Sequence, residues 1–208
     1  MKKSRGKKIG TIISFVVDGK CELWYLQLLK QHEKLNAKNI NLEPKLPEKK
    51  KLSDLFDLAK KLAEDSEKVF LIIDLDTILK ETRERKKGEK AKLQEFRDLC
   101  NDVDSSKIII VVNNPCLEYW FLLHFEQTSK PFSTYKQLEK SLKNHLPHYE
   151  KKETYYKNRR ENIYQKLRPK LEHAILNSKK SGEFDFENTT KGIAEMHKIF
   201  NELNIGNS

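Results

Sequence analysis

The sequence predicts an α/β protein: a parallel four-stranded sheet with helices on both faces, plus a C-terminal helical extension. Three observations lead there. The runs at 11–17, "VFLIID" and "KIIIVVNN" are apolar without polar alternation, as expected of strands covered on both faces. Amphipathic helical patterns separate them, which is the grammar of βαβ units. Beyond Asn114 only helical patterns follow.

In order, the first run stops at the turn "DGK", and Cys21, Trp24, Tyr25, Leu28 and Leu29 then recur at helical spacing. "NINLEP" is expected to give a short second strand. Ser53 is the expected N-cap of a helix carrying Leu55, Leu58, Ala59 and Leu62 on one face. "VFLIID" is the third strand. "KETRERKKGEK" reads as an exposed loop or frayed helix, and Leu93, Phe96, Leu99 and Cys100 form another amphipathic face. "KIIIVVNN" is the fourth strand. "PCLEYWFLLHF" places Pro115 at the favoured first helical position, and its all-round apolar character predicts a buried helix. Three more helical patterns follow: Tyr135, Leu138, Leu142 and Leu146; Tyr164, Leu167, Leu171 and Ile175, broken by Pro169; and Ile193, Met196, Ile199, Phe200 and Leu203. The expected organisation is an α/β core over 8–126 with a helical extension over 127–208 packed on it.

Composition bounds the function. The 208 residues are 37% hydrophobic and 35% charged, with a formal net charge of +10 that favours polyanionic partners such as nucleic acid. Cys21, Cys100 and Cys116 are too scattered for a disulfide framework or a zinc module. The N-terminal basic and apolar residues imitate a signal peptide, but the apolar run is short, ends at Asp18 and lacks a small-residue cleavage site. No apolar stretch reaches membrane-spanning length, so a cytoplasmic chain without a membrane partner is expected.

The chemistry concentrates at strand ends. One strand ends in Asp18-Gly19, another in Asp74-Leu75-Asp76, and the last in Asn113-Asn114 with Glu118 following. In open α/β sheets ligands bind outside the carboxyl ends of the strands, so these groups are expected on one rim. An aspartate there is often only a helix cap. Three acids from two strand ends, with a glycine permitting a sharp turn, point instead to a hard cation: magnesium, or manganese in its place, on Asp18, Asp74 and Asp76. Glu118 in an apolar helix needs a partner, either solvent or a lysine. His124 and the aromatic residues beside it are expected to be core.

An acid and Gly after the first strand, then D-x-D, resembles the Toprim fold of topoisomerases, primases and certain nucleases. More specifically, "FVVDGKCELWYLQLLK", "LIIDLD", "NNPCLEYWFLLHF" and "NTTKGIAEMHKIFNEL" resemble the RloB-like family, Toprim-related proteins linked to restriction and phage-defence loci. The resemblance spans roughly 10–205. It implies a Toprim-like sheet and metal-dependent hydrolysis of nucleic-acid phosphodiesters. It also implies catalytic roles for Asp18, Glu22, Asp74, Asp76 and Glu118, and an ATPase partner from the same locus. Two positions depart from the family pattern: Asp18 stands where it has glutamate, and Cys21 where it has threonine. A carboxylate one methylene shorter can still bind metal, while its reach for proton transfer is reduced.

Basic residues supply the expected nucleic-acid contacts: Lys20, the loop bearing Arg83, Arg85, Lys86 and Lys87, and a second cluster around Arg159 and Arg160. Two other readings compete. "DLDT" also fits the nucleophile motif of a haloacid-dehalogenase-like phosphatase, though two strand–helix units precede it here. Alternatively, Asp18 marks a catalytically silent nucleic-acid- or partner-binding subunit.

Overall fold

The structure is a computed structural model that describes residues 12–35, 51–132 and 134–206. Its element order is β1 (Ile13–Val17), α1 (Lys20–His32), α2 (Leu52–Asp65), β2 (Lys68–Asp74), α3 (Leu75–Glu84), α4 (Lys92–Asn101) and β3 (Ile108–Asn114). There follow α5 (Glu118–Leu123), α6 (Tyr135–Lys143), α7 (Glu153–Tyr156), α8 (Ile163–Leu167), α9 (Leu171–Ser181), β4 (Ile193–Ala194) and α10 (His197–Glu202).

The strands lie in the order β1-β2-β3-β4. The first three are parallel, with Val17 opposite Ile72 and Asp74 opposite Asn113, so their carboxyl ends form one rim. Pleating explains the unbroken apolar runs. Ile13, Phe15 and Val17 of β1, with Phe70 and Ile72 of β2, join one apolar cluster that includes α1, α5 and much of the helical extension. Val16, Val69, Leu71 and Ile73 point the other way, into a cluster with α2, α3 and α4. With both faces covered, neither register of alternation can be polar. The helices after α5 share the first cluster, so they pack against the sheet side that α1 covers.

The sheet departs from the all-parallel expectation. "NINLEP" lies outside the described residues, and the fourth strand is β4, antiparallel to β3 through Asn113–Ala194 and Asn114–Ile193. Ile193, expected on a helix, belongs to this strand. Two residues are too few for a periodic signal, but their surroundings explain them. A Cβ on Gly192 would lie 2.6 Å from the Lys130 carbonyl oxygen and the Tyr119 ring, so only glycine lets the chain approach the edge of β3. Glu195 then extends the edge. Its backbone N–H donates to Val112 O, and its carboxylate accepts from the N–H groups of Val112 and Phe184 at 2.9 and 3.0 Å. The edge of β3 from Val112 to Asn114 is thereby closed to further pairing.

Three helix boundaries also differ. Ser53 is inside the first turn of α2, and the Asp54 carboxylate caps the helix by accepting from Lys51 N. Pro115 follows Asn114 through a cis peptide and precedes α5 by two further residues. There its carbonyl accepts a hydrogen bond from Asp76 N, which ties the start of α3 to the turn after β3. Leu146 lies beyond the end of α6. Pro169 breaks its helix as expected, in a 3-10 turn between α8 and α9.

Candidate active site

Asp18 leaves β1 and is followed by Gly19, the N-cap position of α1. A Cβ on Gly19 would stand 2.3 Å from Glu22 Oε2, so the glycine makes room for the Glu22 carboxyl to fold back over the helix start. There it accepts from its own backbone N–H, where the helix end favours negative charge. Glu22 is 3% exposed.

Asp74 ends β2 at the N-cap position of α3, yet its side chain makes no capping bond. Asp74 Oδ1 accepts instead from Asn113 Nδ2 at 3.3 Å, across from it on β3. Asp76, on the first turn of α3, accepts from the N–H of Thr77 at 2.7 Å. Asp76 thus satisfies a first-turn N–H of α3, as a helix-terminal acid does, whereas Asp74 makes no capping bond and capping does not explain it.

Burial, then the charge of Asp18, pushes Glu22 up to about 8, although Asp74 is hydrogen-bonded to it. Burial and the charges of Glu22, Asp18, Glu118 and Asp76 hold the Asp74 carboxyl well above the usual carboxylate range. Two touching carboxyl groups of this kind share a proton. Burial raises Asp18 to about 6, opposed by the backbone amides of Asp18 and Asp74, with Asp76 adding to the rise. Asp18 keeps more surface open than the others, and water screens its neighbours there. Both Asp18 and Asp74 line an open cleft of about 390 Å³ with Lys51, Lys92, Ile73 and Ile78, hemmed by protein but reached by water.

Glu118 has a different environment. It is fully buried on α5. Tyr149 donates to its Oε1 at 2.5 Å, with Tyr156 OH 3.5 Å from the same oxygen and 2.7 Å from Tyr149 OH. Lys151 Nζ pairs with Oε2 at 3.0 Å. Lys151 also sits 4.1 Å from the Tyr135 ring centroid and lowers the charge burden on Asp18.

The structure therefore brings together four of the five predicted acids, Asp18, Glu22, Asp74 and Asp76, and sets Glu118 beside them in a closed network of its own. The basic residues divide. Arg83 faces a second cleft bordered by Asp76, while Arg85 bonds the end of α3 through Thr82 O. Lys20, Lys86 and Lys87 are exposed, and Arg159 and Arg160 are on the exposed turn between α7 and α8. Sequence reading missed Lys151, Tyr149 and Tyr156, which follow α6 in a stretch without periodic signal.

A profile of the RloB-like protein family matches residues 13–203. The chain belongs to the RloB-like protein family. No curated protein and no solved structure matches it. The "NNPCLEYWFLLHF" stretch supplies three parts of this region: Asn113 against Asp74, Pro115 against Asp76, and Glu118 against Lys151. No helix among the described residues is long and apolar enough to cross a membrane.

A divalent cation fits the donor set in part. Among the described residues, no group of three or more His, Cys, Asp or Glu is placed to hold a metal ion. Magnesium, however, is usually held by one or two carboxylates and waters. Hard oxygen donors, like charges forced together, and a buried Asn113 Oδ1 with no hydrogen-bond partner beside Asp74 suit such a cation.

Proposed function

We propose that this RloB-like chain is a magnesium-dependent nuclease, with a Toprim-like core, that hydrolyses phosphodiesters of RNA, transfer RNA or DNA in antiphage defence. One observation carries the reading: Asp18, Glu22, Asp74 and Asp76 meet at the carboxyl ends of parallel strands, and burial among like charges holds the carboxyls of Asp18, Glu22 and Asp74 above their ordinary range. A protein keeps such a cluster where a cation or a proton transfer uses it. The net charge of +10 elsewhere favours a polyanionic substrate.

Asp74 and Asp76 would hold the metal, shared with Asp18, and the metal would polarise a phosphate and acidify a bound water. The remaining roles belong to the chain itself. Glu22, sharing a proton with Asp74, is able to take or give one near neutral pH. Asn113 orients the Asp74 carboxylate, and the hydrogen bond to Pro115 O fixes the backbone of Asp76. Glu118 holds Lys151 close to the rim. Lys20 and Arg83 contact the phosphate backbone.

A second reading, a catalytically silent nucleic-acid- or partner-binding subunit, is favoured by Asp18 where the family pattern it resembles has glutamate. In either case, an ATPase partner from the defence locus fits the family context.

The test is incubation with plasmid DNA, total RNA and transfer RNA in magnesium, manganese or chelator, with Asp74→Ala, Asp76→Ala and Asp18→Glu in parallel. Metal-dependent cleavage lost in both alanine variants supports the nuclease. Cleavage only by Asp18→Glu supports the silent subunit, and no cleavage by either protein removes a self-sufficient nuclease.

A further inference from the structure

The cleft beyond Asp76 differs chemically from the one that Asp18 and Asp74 line. Its volume is about 570 Å³, within the range of small-molecule sites. Asp76 forms part of its wall, so an occupant lies beside the carboxylates. Tyr135 and Phe132 supply ring surface, Thr134 and Thr190 supply hydroxyls, and Arg83 supplies a guanidinium. Lys151 bears on the Tyr135 ring while paired with Glu118, and Lys130 stands 5.5 Å from the Phe132 ring centroid. The Tyr135 ring is thus held by an ammonium that is itself anchored on the buried Glu118 carboxylate.

A held ring, hydroxyls around it and two cations, Arg83 and Lys80, beside the rim proposed to handle phosphate match a nucleobase: a flat apolar face with polar edges, joined to a phosphate. A duplex keeps its bases stacked inside and presents phosphates and groove edges. A cleft of this kind receives a base only from a single strand, or from a nucleotide extruded out of pairing.

We infer that this cleft is a nucleobase subsite, and that the substrate is presented unpaired, with one base against Tyr135 and its phosphate directed to Arg83 and the Asp76 rim. The inference rests on the nucleic-acid reading above and narrows it to single-stranded or extruded nucleotides.

The experiment measures anisotropy of a labelled 12-nucleotide single strand, its duplex, and a strand with abasic positions, with calcium replacing magnesium so that binding is read without cleavage. The full-length protein is compared with Tyr135→Ala, Tyr135→Phe and Thr190→Trp. The single strand is expected to bind at least about tenfold tighter than the duplex. Abasic positions and Tyr135→Ala should each weaken it by roughly 5- to 100-fold, the span of one lost base–aromatic stack, with Tyr135→Phe close to the natural protein. Thr190→Trp fills the cleft without touching the ring's mount and should weaken binding as well. Equal affinity for strand, duplex and abasic strand, with Thr190→Trp inert, overturns the subsite and leaves the nucleic-acid reading standing. Absence of binding to every probe overturns both.

Discussion

Two sets of acids lie within reach of one another on this rim, and they differ in what neutralises them. Glu118 is fully buried, yet two tyrosine hydroxyls and the Lys151 ammonium surround it. Glu22 and Asp74 have each other, Asn113 and backbone amides, and their nearest charges are further acids. Burial alone therefore does not identify a reactive carboxylate. The identity of the partner does: a paired acid is a structural tie, and an acid facing acids is poised to bind a cation or a proton.

The largest expected effect comes from breaking the tie. Glu118→Ala leaves two buried hydroxyls without their acceptor and frees the Lys151 ammonium to water, at a cost of about 1–3 kcal/mol. Glu118→Gln keeps the tyrosine hydrogen bonds and should lose less. Urea unfolding midpoints would measure both. A Glu118→Ala midpoint equal to that of the natural protein would show that Glu118 is no tie and return it to the reactive set.

The unneutralised acids should show the opposite behaviour. Their folded pKa values are raised, so their contribution to stability is fully present below the unfolded carboxylate range and is lost as pH rises through about 6 for Asp18 and about 8 for Glu22. In chelator, thermal stability should fall across that window, and Asp74→Asn should flatten the fall by removing one negative charge. Magnesium should flatten it too, since a cation replaces the proton. A metal-independent profile would argue against a cation site. Two buried histidines, His124 on α5 and His197 on α10, add a dependence on the acid side. Burial lowers His124 to about 3 and His197 to about 4, so both fold as neutral rings. Their contribution is present above the unfolded value near 6.5 and declines as pH falls below it. His124→Phe removes that term and should hold stability better between pH 6.5 and 4 in saturating magnesium, relative to its own value at pH 8.

The same contrast explains what could be read in the sequence. Asp18 and Asp74 were legible because an apolar run ending in an acid places that acid on a strand's carboxyl end, whatever the strand's neighbours. Both helical layers were legible from 3.6-residue spacing. The tie on Glu118 was not. The sequence demands a partner for a glutamate in "LEYWFLL", but Lys151 and Tyr149 are about thirty residues away in a stretch whose chain path no periodicity sets. β4 was hidden for a related reason. It pairs through two residues, and its acceptance at the edge depends on Gly192 clearing Tyr119 and Lys130, a contact fixed only by the tertiary fold.

The smallest expected effects separate the basic residues by distance from the acids. Arg83 borders the cleft that Asp76 shares, whereas Arg159 is on the turn between α7 and α8, in the helical extension. Both are exposed, so neither substitution by alanine should move stability by more than about 0.5 kcal/mol. Binding should tell them apart. If Arg83 neutralises a phosphate of bound nucleic acid, Arg83→Ala weakens affinity and reduces the slope of log affinity against log salt by about 1, while Arg159→Ala leaves the slope unchanged. Equal loss of slope in both variants would extend the footprint across the helical extension. A slope reduced only by Arg159→Ala would move the nucleic acid off the carboxylate rim, and with it the case for hydrolysis there.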